Sequence, residues 1–508
     1  MFSVAIQTLG CKLNQLESEA LADAFRREGF ELLPWGAGQA GQADPSLLVI
    51  NTCTVTSMAE QKARRIIRKS LRENPNACLI VTGCYAQLEK AAIEALDQES
   101  GSFPEGGADG HLGGGERHPF PPRRLFVVPG DSKSAILELP RFLTKAAASD
   151  PGAGSLHALV EAWVRSHEAE AARDESAAAG AFRFVPENFS AHSRGFLKIQ
   201  DGCDRSCSYC RVTLARGPSV SLSAEKVLAG LRALEENSYG EAVLTGVNIS
   251  QYCDEGGRDL GGLLEYLLAG SRVIRIRLSS LEPDGLTGSL VQILAHPRIR
   301  PHFHLSVQSG SPLVLGRMGR LYGNDEVEQA AALLRDIKGD PFLACDIITG
   351  FPGETAAEFE KTYELCRRIG FAWIHAFPYS RRPGTAAWSF KNPVSEREAT
   401  ERVAALLSLA GQGRREYLSR WIGREVEAIV EGGDEKAASF VQATSENYLK
   451  LLVDCTPTHT PQGGSPVPGT LLRCRIKGLP AGRLPPGQAV GHFDAAAVIV
   501  GQGAGLTI

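Results

Sequence analysis

Apolar positions along this chain alternate between a strand rhythm and a helix rhythm. Short β-branched runs at 4–9 (VAIQTL), 47–50 (LLVI) and 79–82 (LIVT) each end in a turn, and helical periodicity follows at 15–28, 58–73 and about 86–97. Strand, loop and helix in succession predict a parallel α/β domain over 1–145, with its functional loops at the carboxyl ends of the strands. LFVV at 125–128 reads as a strand returning to that sheet. The Gly- and Pro-rich stretch 98–122 reads as a flexible insertion, and the Ala-rich, mixed-charge stretch 146–190 as a linker carrying one surface helix.

A second alternation begins near 195. Strands are predicted at 195–200, 241–247, 273–280, 302–308, 342–350 and 372–380, with helices at 223–236, 260–269, 284–295, 324–337, 355–369 and 395–420. Six β/α units in a row predict a partial (β/α)6 barrel over 191–422, with its active residues at the strands' carboxyl ends. From 423 to 508 the runs REVEAIVE, NYLKLLVD and TLLRCRIKG, broken by Gly and Pro, predict a small C-terminal β-barrel. The fold class is α/β and multidomain.

Composition then narrows the function. A chain of 508 residues with 54 Lys and Arg against 58 Asp and Glu is no polycation, so any nucleic-acid contact must come from local basic patches. No apolar run reaches the ~18 residues of a membrane span, and the N-terminus lacks a signal pattern. A cytoplasmic protein with no membrane partner is expected. Twelve cysteines are too sparse for a disulfide scaffold in a chain this long.

Their spacing carries the chemistry. Cys203-Asp-Arg-Ser-Cys207-Ser-Tyr-Cys210 is a C-x3-C-x2-C triplet directly after a strand. Three thiolates so spaced hold three irons of a [4Fe–4S] cluster and leave one iron open. Zinc would want a fourth ligand nearby, and neither a close His nor a second C-x2-C is present. Cys11, Cys53 and Cys84 each end a strand of the first domain, in TLGCKLNQ, NTCTVT and TGCYAQ. The carboxyl ends of adjacent parallel strands share one edge, so a second three-cysteine cluster is the economical reading. Three small core-facing cysteines are the alternative. Most of Cys78, Cys253, Cys345, Cys366, Cys455 and Cys474 read as buried hydrophobes.

The triplet, with the aromatic Tyr209 before its last cysteine, resembles the radical S-adenosylmethionine superfamily. The resemblance implies S-adenosylmethionine chelated at the open iron and cleaved to a 5′-deoxyadenosyl radical. The three loops and the triplet together resemble the methylthiotransferases of that superfamily, through LTGVNISQY, RLSSLEP, HLSVQSGS, DIITGFPGET and FPYSRRPGT. It implies two [4Fe–4S] clusters, the auxiliary one on Cys11, Cys53 and Cys84, and a C-terminal TRAM-like RNA-binding barrel best matched by SENYLKLLV. By the same resemblance Thr245, Gly246 and Asn248 stand where relatives bind the methionyl amino group. Glu282 and Gln308 resemble polar residues near the ribose or carboxylate, and Gly350 a strand end passing the adenine.

TLGCKLNQLESEAL and SRRPGTAA resemble the branch acting on N6-threonylcarbamoyladenosine at position 37 of tRNA. That implies a tRNA C2-methylthiotransferase working on the anticodon loop, with a flavodoxin or ferredoxin as electron donor and a monomer as the expected state. Isopentenyl-adenosine 37 or a ribosomal-protein aspartate are the alternative substrates, and a non-catalytic iron–sulfur tRNA-binding protein the alternative class. Two features depart from the pattern. After Ala215-Arg216-Gly217 comes PSVSL, where the family carries further charge, and 424–508 holds seven Lys and Arg against eight Asp and Glu. RNA contact therefore falls to the helix bearing Lys62, Arg64, Arg65, Arg68, Lys69 and Arg72, to Arg216, and to Tyr448 as a stacking residue. A merely solvated helix face is the other reading of the six cations.

Overall fold

The computed structural model describes residues 2–36, 44–101, 123–149, 155–171, 180–186, 193–286, 288–432, 440–455, 466–478 and 494–502. The chain folds as two compact units. One is Met1–Ser190 with Arg211–Gly217, and the other is Ala191–Cys210 with Pro218–Ile508.

The first unit is a parallel sheet of β1 (Ser3–Thr8), β2 (Glu31–Leu32), β3 (Leu47–Thr52), β4 (Cys78–Gly83) and β5 (Leu125–Val127) in the order β2-β1-β3-β4-β5. Side chains alternate across each strand, so Val4, Val49, Ile80 and Phe126 feed one apolar core, and Ala5, Leu48, Ile50, Leu79 and Val127 the other. Helices cover both faces. The Ser57–Glu73 helix begins where the Thr56 side chain accepts from the amide of Ala59, and it buries Ala63, Ile67 and Leu71 on one stripe.

The described part of 146–190 is more than the linker expected of it. Val160, Trp163 and Val164 of the Leu156–Ala171 helix, and Phe184 beyond it, join the same core as Leu21, Phe25 and Phe126. Three large apolar residues among Ala and charge are a weak pattern, yet they seal the open face of the sheet. Of the expected insertion, 98–101 close the Lys90–Gly101 helix and 102–122 lie outside the described residues.

The second unit opens with β6 (Gly195–Lys198), followed by the two-stranded ribbon of β7 (Gln200–Asp201) and β8 (Val220–Ser221). Then come β9 (Glu241–Thr245), β10 (Arg275–Leu278), β11 (His302–Gln308), β12 (Phe342–Thr349) and β13 (Trp373–Pro378). Two parallel sheets, β10-β9-β6 and β11-β12-β13, meet through the single bridges Ile276–Ile299 and Leu281–Leu305. This is the partial six-stranded barrel, and the cysteine triplet sits in the loop between β7 and β8.

β14 (Glu425–Gly432), β15 (Phe440–Ser445), β16 (Lys450–Asp454), β17 (Leu471–Gly478) and β18 (Ala495–Gln502) close into a small barrel, ordered β14-β15-β16-β18-β17. Its core is continuous with Phe342, Ala372 and Tyr417 of the larger fold. A buried ion network fastens the two. Glu241 pairs with Arg277 at 2.6 Å and Arg300 at 2.8 Å, and Arg300 reaches Glu427 at 2.9 Å.

Candidate functional site

Each of Cys11, Cys53 and Cys84 is set at the carboxyl end of a strand by a specific local structure. Cys11 and Cys84 both follow a glycine at positive φ, Gly10 at +104° and Gly83 at +99°. A Cβ on Gly10 would lie 2.6 Å from the Cys53 sulfur, and one on Gly83 would lie 2.3 Å from the Thr52 carbonyl oxygen. Glycine is therefore what lets the three loops crowd together. Side chains then lock them. Asn14, fully buried, donates from Nδ2 to the carbonyls of Leu9 (2.8 Å) and Thr52 (2.9 Å). Thr52 Oγ1 donates to the Thr82 carbonyl at 2.5 Å and accepts from the Ala86 amide at 3.3 Å.

The thiols come close enough to feel one another. Burial pushes the Cys53 thiol up to about 12, the charges of Cys11 and Cys84 add to this, and the Val55 amide and Arg216 oppose it. Arg216 donates from Nε to the Cys84 sulfur at 3.3 Å.

In the second unit the triplet loop is strapped to its surroundings. The Ser208 amide donates to the Met318 carbonyl at 2.9 Å, its hydroxyl to the Arg317 carbonyl at 2.8 Å, and its own carbonyl accepts from the Ala387 amide at 2.7 Å. Burial pushes the Cys207 thiol up, Arg320 opposes, and Glu282 and Cys203 push further in the same direction. Arg320 is the hub. It donates to both oxygens of Glu282 at 2.8 Å and to the Tyr209 hydroxyl at 2.7 Å, while Asn248 Nδ2 donates to Glu282 Oε1 at 3.4 Å.

Among the described residues, no group of three or more His, Cys, Asp or Glu side chains closes on a point where one metal ion would sit. A [4Fe–4S] cluster does not ask for that, since each thiolate binds a different iron. Both sets of three soft donors fit such a cluster.

Residues 3–103 match the family described as "Uncharacterized protein family UPF0004", and residues 197–366 match the Radical SAM superfamily. The Threonylcarbamoyladenosine tRNA methylthiotransferase MtaB of Treponema pallidum (strain Nichols) is 43% identical, over 89% of this chain and 94% of its own. The protein of the same name from Bacillus subtilis (strain 168) is 31% identical, covering 89% and 90%. The tRNA-2-methylthio-N(6)-dimethylallyladenosine synthase of Anaplasma marginale (strain St. Maries) is 31% identical, covering 88% and 89%. The chain belongs to the radical SAM methylthiotransferases. Membership brings a [4Fe–4S] cluster and S-adenosylmethionine to this enzyme. No helix among its described residues is long and apolar enough to cross a membrane.

The remaining sequence-expected residues fall unevenly. Tyr209, Asn248 and Glu282 meet around Arg320, as described above. Gln308 ends β11, buried, at φ +65°. Thr245 ends β9, also buried, and a Cβ on Gly246 would sit 2.8 Å from Gln200 Oε1, the oxygen that accepts from the Asn248 amide at 2.9 Å. Gly350 directly follows β12 at φ +73°, and a Cβ there would sit 2.6 Å from that of Ala399 in the Glu396–Trp421 helix.

Three residues expected on RNA are already engaged. Tyr448 stacks on His302 with ring centroids 4.1 Å apart, and the Arg277 guanidinium lies 5.2 Å from its ring centre. Arg64 donates to the Tyr85 hydroxyl at 2.9 Å. Arg216 is only 8% exposed and is tied to Glu17, Asn14 and Cys84. Lys62, Arg65, Arg68, Lys69 and Arg72 remain on the exposed side of their helix. Arg320 was not anticipated. Its only sequence trace is a cation in MGRLYG, and its partners come from loops far along the chain.

Proposed function

We propose that this enzyme installs a methylthio group at C2 of the N6-threonylcarbamoyl adenine at position 37 of tRNA. The convergence of Cys11, Cys53 and Cys84 at one sheet edge carries the reading, because a radical SAM enzyme that only cleaves S-adenosylmethionine needs no second thiolate set. The 43% identity to a protein named for that nucleoside, and the stretches TLGCKLNQLESEAL and SRRPGTAA, favour this substrate over the dimethylallyl one. When bound, the two clusters would supply the electron that cleaves S-adenosylmethionine and an open iron from which sulfur is delivered.

The chain's own side chains would do the rest. Cys203, Cys207 and Cys210 would hold the first cluster, and Cys11, Cys53 and Cys84 the second. Arg320 would orient Glu282 and Tyr209 toward the cofactor, with Asn248 and Gln308 adding polar contacts. The Lys62, Arg65, Arg68, Lys69 and Arg72 face would take tRNA phosphates. A one-electron donor such as a flavodoxin or ferredoxin would serve the first cluster.

Two triple-alanine variants test the division of labour. Replacing Cys203, Cys207 and Cys210 should abolish 5′-deoxyadenosine formation. Replacing Cys11, Cys53 and Cys84 should leave that cleavage intact and abolish methylthiolation. Full product from the second variant would remove the sulfur-delivery role.

A further inference from the structure

Arg216 lies in a buried chain of charges within the first unit. Lys133 Nζ donates to Glu17 Oε2 at 2.5 Å, Glu17 Oε1 accepts from Arg216 Nη1 at 3.1 Å, and Arg216 Nε donates to the Cys84 sulfur at 3.3 Å. Arg216 Nη2 also donates to Asn14 Oδ1 at 3.1 Å, the same Asn14 that ties the Cys11 and Cys53 loops. All these groups belong to the first unit. The side chains of Glu17, Lys133 and Arg216 are 0%, 4% and 8% exposed.

Charge buried this deeply is retained only where it is paired. Here two cations share one carboxylate, and the second cation also aims its Nε–H at a sulfur. A guanidinium suits the task, because its rigid fork engages the sulfur, the carboxylate and the amide at once, where an ammonium would be a single point charge. Hydrogen bonds to cluster sulfurs and nearby net charge are what set an iron–sulfur potential. An N–H···S bond from a cation favours the more negative, reduced cluster.

We propose that Arg216 is a positioning residue for the auxiliary cluster. Clamped by Glu17, it donates a hydrogen bond to the Cys84 thiolate and holds the cluster's reduction potential up. This rests on the reading that Cys11, Cys53 and Cys84 bind a cluster. It also accounts for a cation, six residues after Cys210, whose side chain is turned away from solvent.

The test uses the full-length Cys203→Ala, Cys207→Ala, Cys210→Ala protein, reconstituted anaerobically with iron and sulfide so that any cluster present is the auxiliary one. Iron content, the EPR signal of the reduced state and its midpoint potential are compared with those of the same protein carrying R216Q. R216Q is expected to keep its iron while its midpoint moves to more negative potential and its g-values change. Unchanged midpoint and g-values at full iron overturn the inference and leave the cluster reading standing. A parent that binds no iron overturns both. Should R216Q not fold, R216K keeps the charge beside Glu17 and loses the directed Nε donor. A smaller negative shift is expected from it, and no shift overturns the inference.

Discussion

The side-chain amide of Asn14 donates to the carbonyl of Thr52 at 2.9 Å, so the loop bearing Cys11 and the loop bearing Cys53 share one buried strut. Its second bond, to the Leu9 carbonyl at 2.8 Å, fixes the end of β1. Asn14→Ala leaves both carbonyls without this donor inside the protein, which should cost about 1–3 kcal/mol. Thermal unfolding should show that loss, and reconstituted iron should fall toward the amount held by the triplet alone. Full iron with unchanged stability would show that the strut is dispensable.

Arg320 joins the cysteine triplet loop to Glu282, and removing it leaves a buried carboxylate without its cation. Arg320→Gln should retain the triplet's iron yet lose most 5′-deoxyadenosine formation, because Glu282 and Tyr209 lose the group that orients both. Iron assay and product chromatography on the same preparation check the split. Normal turnover in this variant would take Arg320 out of the cofactor site.

Glu241 gives a pH signature for the join between the two barrels. Burial raises its carboxyl, but Arg277 and Arg300 outweigh that and bring it down to about 2. An unfolded Glu titrates near ~4.3. The folded value is the lower one, so its contribution is complete above ~4.3 and fades as pH falls toward about 2. Glu241→Gln should cost ~3–5 kcal/mol at neutral pH, since it strands the buried Arg277 guanidinium and leaves Arg300 with Glu427 alone of its two close carboxylates. Denaturant unfolding should show the gap between variant and parent narrowing below pH ~4.3. A gap independent of pH would mean that the pairing is not what stabilises this join.

The exposed cations of the Ser57–Glu73 helix predict a salt effect. Reversing Arg65, Arg68 and Lys69 to Glu should weaken tRNA binding, and each lost phosphate contact should lower the slope of log affinity against log salt by about one. Cleavage of S-adenosylmethionine without tRNA should not change. An unaltered slope would make this a solvated helix face.

Strand ends and cysteine spacing were legible because both depend on local sequence. A β-branched run followed by Gly-Cys marks where β1 and β4 stop, and parallel pairing does the rest. Arg320, Glu17 and Lys133 were not legible, since each finds its partner across a distance in sequence that no periodicity encodes. Tyr448 and Arg216 show the same limit from the other side. Type and position suggested RNA, and only packing shows one ring stacked on His302 and one guanidinium bent to Cys84. In the small barrel, β15 and β18 escaped notice because FVQATS and AAAVIVGQ lack the clean alternation of their neighbours.

The most direct measurement is mass spectrometry of tRNA nucleosides from a strain lacking this gene, with and without the restored enzyme. The account predicts that the deletion accumulates N6-threonylcarbamoyladenosine and loses its 2-methylthio form, and that the intact enzyme restores it. Restoration should fail with alanine at Cys11, Cys53 and Cys84. Loss of the 2-methylthio form of isopentenyl-adenosine instead, or no change in any tRNA nucleoside, would contradict it.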